Sequence, residues 1–164
     1  MARTGVVSGK DWQPQSAIAK LPDRYLIRTK GEDRELVCTE SPTMAVRIER
    51  GKTVPANTAR RAPSGTIYLD GAAEGGPFLD AEKAVFNLDH HEGCVRSFTL
   101  ATCEQAMIIV RKGLDLQKRD WTIHANDPDL DTVLAIWVLL NHMRLSDADA
   151  EIRRKAMPLV RLEG

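Results

Sequence analysis

The sequence is poor in cysteine and contains no long hydrophobic run. The three cysteines of the 164-residue chain, Cys38, Cys94 and Cys103, form no C-x-x-C pair. An odd number of cysteines without a secretion signal indicates reduced thiols. The longest apolar run, residues 133–140, is too short to cross a bilayer, and the N-terminus lacks the apolar segment of a signal peptide. We therefore expect a soluble cytoplasmic protein without membrane contacts.

The sequence also lacks an excess of either charge. It carries 23 basic and 23 acidic residues, and no stretch forms a basic block. A protein that holds a nucleic-acid duplex through its phosphates normally shows such a block or a net positive charge. We therefore expect no stable binding to duplexes, although a short nucleic acid remains a candidate substrate.

The first part of the chain predicts an arm followed by a small antiparallel element. Residues 1–20 are polar and show little periodicity, which is typical of a loose arm. Short apolar runs at 25–28, 35–38 and 44–48, the first two joined by a glycine-containing turn, predict antiparallel strands within residues 24–50. The glycine- and proline-containing stretch 51–65 is a connection. We accordingly divide the chain into residues 1–60 and 61–164, packed as one compact domain.

The second part alternates short apolar strands with helical segments, a pattern that favours a parallel sheet covered by helices. Residues 99–112 have the apolar spacing of an amphipathic helix, and Gly113 follows as a C-terminal stop. A strongly apolar helix is expected after Pro128, followed by a polar helix at 146–157 and a short strand at 159–162. The predicted fold class is α/β: a parallel sheet with covering helices and a small antiparallel N-terminal element.

Acidic and imidazole side chains stand where three of these strands end. Asp70 follows residues 66–69, and Asp89, His90 and His91 follow residues 84–88. The third strand, at 121–123, runs into His124, with Asp129 and Asp131 shortly after it. Ligand sites of open parallel sheets lie beyond the carboxyl ends of the strands, so we expect these groups to converge at one edge.

Carboxylates and imidazoles without a thiolate suit manganese, magnesium, iron or zinc. Several clustered carboxylates repel one another unless cations neutralise them, so we expect two divalent ions, with Mn²⁺ as the leading candidate and Mg²⁺ or another divalent metal as alternatives. A pair of such ions can activate water and orient a phosphate for displacement. The arrangement therefore predicts hydrolysis of a phosphodiester or a phosphoanhydride.

These motifs resemble those of the DHH phosphoesterase superfamily. The residues 88–91, Leu-Asp-His-His, are similar to the motif that names the family, and residues 67–70, a strand ending in aspartate, are similar to the motif that precedes it. Residues 124–131, His-Ala-Asn-Asp-Pro-Asp-Leu-Asp, resemble the family's His-x-Asn-Pro-Asp-x-Asp motif, with Asp127 inserted. The resemblance implies a nucleotide or short oligonucleotide as the substrate.

The resemblance also implies residue roles. The expected metal ligands are Asp70, His90, His124, Asp129 and Asp131, and the expected catalytic residues are Asp89, His90 and His91. Within that set His91 would contact the substrate phosphate, and Asp89 would orient the neighbouring imidazoles. We add Arg96 as a candidate for substrate phosphate binding.

The order of the motifs departs from the family. The His-x-Asn motif follows the Asp-His-His motif here, whereas it normally precedes it, so the resemblance implies a circularly permuted version of the fold. The family's fourth metal-binding aspartate has no clear counterpart, and its usual C-terminal substrate domain is absent from this sequence. A non-catalytic binding or regulatory module that keeps the fold is therefore the alternative function.

Each candidate also has a structural interpretation. His124 could be satisfied by a backbone carbonyl at a strand end, and Asp127 before Pro128 is typical of a helix N-cap. Asp129 and Asp131 could be acids that the helix dipole favours in a first turn. If all the candidates are structural, the protein is a structural subunit with no metal affinity. A homodimer is compatible with so short a chain.

Overall fold

A computed structural model describes residues 22–95, 97–148 and 150–151. Its centre is one mixed sheet of seven strands in the order β1-β2-β3-β7-β4-β6-β5. The strands are β1 (Tyr25–Lys30), β2 (Asp33–Cys38), β3 (Ser41–Ile48), β4 (Thr66–Leu69), β5 (Phe78–Asp80), β6 (Val85–Leu88) and β7 (Trp121–Ala125). The helices are α1 (Ala56–Ala59), α2 (Thr102–Arg111) and α3 (Leu130–Leu140). Residues 142–148 and 150–151 are also helical.

The sheet has a parallel centre and antiparallel edges. Strands β3, β7, β4 and β6 pair in parallel, whereas β1, β2 and β3 pair antiparallel at one edge and β5 pairs antiparallel with β6 at the other. The α/β class is confirmed, but the sheet is not purely parallel. The predicted N-terminal strands join the same sheet because β3 pairs with β7, and the short strand β5 was not predicted.

The alternation of side chains along the central strands builds two apolar clusters. Ile67 and Leu69 of β4 belong to the main core, together with buried residues of α2 and α3, whereas Tyr68 belongs to a smaller cluster with Ala59 of α1. Successive residues of a strand point to opposite faces. Helices α2 and α3 therefore cover one face of the sheet, and α1 covers part of the other.

Helices were predicted at 99–112, after Pro128 and at 146–157, and the described residues include a helix at each of the three places; the third helical stretch begins at 142, and residues 152–157 lie outside the described residues. Helix α2 lies within the predicted range, and Gly113 follows it with the left-handed φ of 75° that a helix stop requires. Helix α3 begins at Leu130, so its N-cap is Asp129. The interpretation of Asp127 as the cap was wrong because the helix begins two residues later than Pro128 suggested, and the side chain of Asp129 accepts the N–H of Thr132. The predicted arm at 1–20 and strand at 159–162 lie outside the described residues.

In the part of the chain that the structure covers, we find no helix with the length and hydrophobicity of a membrane span.

Gly65, at the start of β4, is the glycine that the sheet depends on most directly. It has a φ of +83°, and a Cβ atom there would overlap the backbone carbonyl of Asp120. We expect Gly65→Ala to lower the free energy of unfolding by about 3 kcal/mol or more, because left-handed strain and overpacking add together. Gly113→Ala is the matched control, because φ there is also left-handed at +75° but no atom lies within 4 Å of the added Cβ. Its free energy of unfolding should fall by only about 1 kcal/mol. Equal losses in urea denaturation would contradict this explanation.

Candidate metal centre

The candidate site lies at the carboxyl ends of β4 and β6, which are parallel neighbours. Asp70 directly follows β4, and Asp89, His90 and His91 directly follow β6. The backbone N–H of Asp70 donates to the carbonyl of Leu88 at 2.9 Å, which extends the pairing by one residue. Asp70 then turns out of the strand with a left-handed φ of 47°. The two predicted motifs are therefore side by side.

Asp70, His90 and His91 form a group whose ligand atoms all lie within 4.8 Å of one another. Nε2 of His90 is 3.4 Å from Oδ1 of Asp70 and 3.6 Å from Oδ2 of Asp131. The rings of His90 and His91 meet edge to face, with centroids 4.5 Å apart. His90 therefore lies within 3.6 Å of a carboxylate at the end of β4 and of another in the first turn of α3.

Asp131, in the first turn of α3, also holds the beginning of α2. Its Oδ2 accepts the N–H of Thr102 at 2.9 Å, and its Oδ1 accepts the N–H of Cys103 at 2.8 Å. Burial alone would raise the pKa of Asp131, but hydrogen bonds from the Cys103 thiol and these N–H groups outweigh it, so the pKa lies below its ordinary value. Burial and the Asp131 carboxylate raise the pKa of Cys103 to about 11. The thiol consequently remains a neutral donor beside an ionised carboxylate.

Asp89 and His91 form a second unit beside the cluster. Oδ1 of the buried Asp89 lies 2.8 Å from Nδ1 of His91 and accepts the backbone N–H groups of His90 and His91. Such a contact fixes the proton on Nδ1 and leaves Nε2 as the free ring nitrogen. The side chain of His91 is 46% exposed, so this nitrogen is accessible to a ligand. Asp89 thus contacts the ring of His91 and the backbone of both histidines.

Two threonines that sequence reasoning missed contact Asp70. The hydroxyls of Thr102 and Thr132 lie 3.3 Å from Oδ1 and 2.9 Å from Oδ2 of Asp70, respectively. Both residues are buried, and each lies in the first turn of a helix that begins at the site. Thr102 is the first residue of the helix that follows the Asp-His-His motif, and Thr132 lies in the first turn of the helix that follows His124. A threonine at the start of both helices is the sequence signal that could have indicated these two residues.

His124 is not part of the cluster. Strand β7 runs through Ala125, so Ile123 and Ala125 face the main core and His124 points to the opposite face of the sheet. There it stacks on Tyr68 with ring centroids 5.3 Å apart, and its Nδ1 is 3.5 Å from Oε2 of Glu49. Burial lowers the pKa of His124 despite Glu49. The predicted strand ended at Ile123, whereas β7 continues for two more residues, and the alternation of side chains along it directs His124 to this face.

The remaining predicted residues lie apart from this group. Oδ1 of Asp129 accepts the N–H of Thr132 at 2.9 Å as the N-cap of α3, which is the role that an aspartate often has at that position. Asp127 is exposed. Arg96 lies outside the described residues. The structure therefore brings together Asp70, Asp89, His90, His91 and Asp131, and it places neither His124 nor Asp129 with them.

The two spacings between His90 and its carboxylate neighbours suit a shared divalent cation. Four ligands about 2.1 Å from an ion lie about 3.4 Å from one another in a tetrahedron and about 3.0 Å in an octahedron. The separations of 3.4 and 3.6 Å from Nε2 of His90 to the two carboxylates are close to the first of these values. Two carboxylates with one imidazole suit Mn²⁺, Zn²⁺ or Fe²⁺ and also permit Mg²⁺.

Comparison with known proteins adds no relatives. No protein-family model matches the chain, and no significant match was found among curated proteins or solved structures.

Proposed function

We propose that this protein is a divalent-metal-dependent phosphoesterase of the DHH type, which hydrolyses a phosphodiester or phosphoanhydride of a nucleotide or short oligonucleotide. The observation that carries the proposal is the convergence of Asp70, His90 and Asp131 beside the Asp89–His91 pair. This combination offers a cation site and a polarised imidazole at one edge of the sheet. The beginnings of α2 and α3 face the same edge, and the positive ends of helix dipoles favour phosphate.

The residues divide into two roles. Asp70, His90 and Asp131 would hold a divalent cation, preferably Mn²⁺, which when bound polarises the phosphate and lowers the pKa of bound water. The two-ion arrangement remains a prediction, because His124 and Asp129 lie apart from the cluster. The charged Asp70 and Asp131 also repel the substrate phosphate until a cation neutralises them, which makes the reaction dependent on metal.

His91 is the group that moves a proton. Hydrolysis forms a bond from a water oxygen to phosphorus and breaks the bond from phosphorus to the leaving oxygen. Nε2 of a protonated His91 donates its proton to that leaving oxygen, while the buried Asp89 carboxylate stabilises the positive imidazole through Nδ1. The water molecule releases a proton to solvent, and His91 takes up another proton from solvent before the next turnover.

We expect His91→Ala to retain Mn²⁺ binding and to lose hydrolysis by about 10²- to 10⁴-fold, the usual contribution of a general acid. The assay supplies Mn²⁺ to chelator-treated protein and follows release of phosphate or nucleotide from pyrophosphate, a dinucleotide and a cyclic dinucleotide. A calorimetric titration on the same variant controls for loss of the metal. Wild-type rates in the variant would contradict the assigned role of His91.

A non-catalytic binding module is the second candidate function, and one observation favours it. Asp129 is engaged as a helix cap and His124 lies on the other face of the sheet, so the described residues gather ligands for one ion rather than two. A module of this kind binds Mn²⁺ and releases no product from any of the three substrates. The same assay therefore separates the two functions.

A further inference from the structure

Among the residues that the structure describes, two neutral hydroxyl groups hold the carboxylate of Asp70, and no lysine or arginine contacts it. Thr132 donates to Oδ2 at 2.9 Å, and Thr102 lies 3.3 Å from Oδ1. Within the described ranges, the ion-pair partners of Asp70 are the two histidines His90 and His91. A lysine or arginine at this place would compete with a metal ion for the carboxylate, whereas a hydroxyl orients the group and leaves its full charge.

The two threonines hold their positions because their backbones are fixed. The N–H of Thr132 donates to the cap residue Asp129, and the N–H of Thr102 donates to Asp131. Thr102 and Thr132 are 0% and 1% exposed, respectively, so neither hydroxyl can turn outward to water. Asp70 is therefore locked between the first turns of two helices.

The two hydroxyls are not equivalent. A hydroxyl has one proton to donate, and that of Thr102 is shared between Asp70 at 3.3 Å and the carbonyl of Leu88 at 3.2 Å. The hydroxyl of Thr132 makes the shorter contact with Asp70. Loss of the Thr132 hydroxyl should consequently affect Asp70 more than loss of the Thr102 hydroxyl.

We propose that Thr132, assisted by Thr102, is the positioning residue that sets the metal affinity of the site, by fixing Asp70 in one orientation without neutralising it. This inference rests on the proposed metal centre. Removal of one hydroxyl leaves a carboxylate oxygen of Asp70 without its donor and frees the side chain to rotate, so the cation must order it on binding. Groups that orient metal ligands typically contribute 10- to 100-fold in affinity.

The test compares Thr132→Val, which keeps the shape and removes the hydroxyl, with Thr132→Ser, which keeps the hydroxyl. Calorimetric titration with Mn²⁺ should show a 10- to 100-fold loss of affinity for the valine variant and a loss of less than about threefold for the serine variant. The Mn²⁺ affinity of Thr102→Val should lie between those of wild type and Thr132→Val. Urea denaturation of each variant establishes that it is folded at the temperature of the titration.

A spectroscopic measurement separates positioning from stability. With Co²⁺ in place of Mn²⁺, the visible absorption bands report the arrangement of ligands around the ion. We expect altered bands in Thr132→Val and wild-type bands in Thr132→Ser. Equal Mn²⁺ affinity and identical Co²⁺ spectra in wild type and a folded Thr132→Val would overturn the inference and leave the metal centre intact. Absence of metal binding in the wild type would overturn both.

Discussion

Asp70→Asn should abolish metal binding while the protein remains folded. The asparagine side chain loses the negative charge that a divalent ion requires, yet it keeps an oxygen that can accept the hydroxyl of Thr132. Asparagine also tolerates the left-handed backbone at this position, where φ is 47°, so the substitution adds little strain. Loss of residues that merely orient ligands costs 10- to 100-fold, so loss of a charged ligand should lower Mn²⁺ affinity by at least about 100-fold.

The measurements for this variant are a calorimetric Mn²⁺ titration and the hydrolysis assay at a fixed Mn²⁺ concentration. Asp127→Asn is the matched control, because it removes one negative charge from an exposed position close to the start of α3. The control should bind Mn²⁺ within about twofold of wild type, since exposed charges are screened by water and salt. Equal affinity of Asp70→Asn and Asp127→Asn would show that Asp70 is not a ligand.

Asp131→Ala should lose both metal affinity and stability. Ala101 precedes α2 as its N-cap and has no side-chain acceptor, so the carboxylate of Asp131 from α3 satisfies the N–H groups of Thr102 and Cys103 instead. Removal of both charge-assisted hydrogen bonds should lower the free energy of unfolding by about 3 kcal/mol in the absence of metal. Asp131→Asn keeps one acceptor oxygen, so its free energy of unfolding should lie between those of Asp131→Ala and wild type.

The stabilising effect of metal identifies the second role of Asp131. A ligand that binds the folded state alone raises the unfolding free energy, so saturating Mn²⁺ should stabilise wild type but not Asp131→Ala. Asp127→Ala, which loses an exposed aspartate, is the matched control and should be stabilised like wild type. Urea denaturation with and without Mn²⁺ gives both results. A stability loss with an undiminished Mn²⁺ effect would mean that Asp131 is only a cap for α2.

The stability loss in Asp131→Ala should also depend on pH. The pKa of Asp131 in the folded protein lies below its ordinary value of 3.8. The ionised carboxylate therefore contributes its full stabilisation above about pH 3.8, and this contribution disappears as pH falls through the lower folded-state value. In metal-free protein, the difference in unfolding free energy between wild type and Asp131→Ala should be large at pH 7 and smaller near pH 3.

The sequence predicted the parts of the site that depend on where strands end. Asp70 and the Asp89–His91 segment follow short, buried apolar runs, and parallel pairing of β4 with β6 places both at one edge. Helix α2 was likewise predictable because its apolar spacing and Gly113 are local signals. These features depend on short-range patterns that tertiary contacts did not change.

The parts that the sequence did not predict depend on side-chain direction and on contacts distant along the chain. His124 has the expected residue type, but β7 extends two residues beyond the predicted strand, and the alternation along it places His124 on the other face of the sheet. Asp131 meets the start of α2, almost thirty residues earlier in the chain, and Thr132 meets Asp70 across a still longer separation. No local pattern predicts such pairs, because they arise from the packing of α3 against α2 and against the end of β4.

The most direct test of the account is a calorimetric Mn²⁺ titration of wild type, His90→Ala and His124→Ala under identical conditions. The geometry predicts saturable binding in wild type and in His124→Ala, and its loss or severe weakening in His90→Ala, because His90 faces Asp70 and Asp131 whereas His124 stacks on Tyr68. A titration in which wild type shows no saturable binding, or in which His124→Ala loses as much affinity as His90→Ala, would contradict the proposed metal centre.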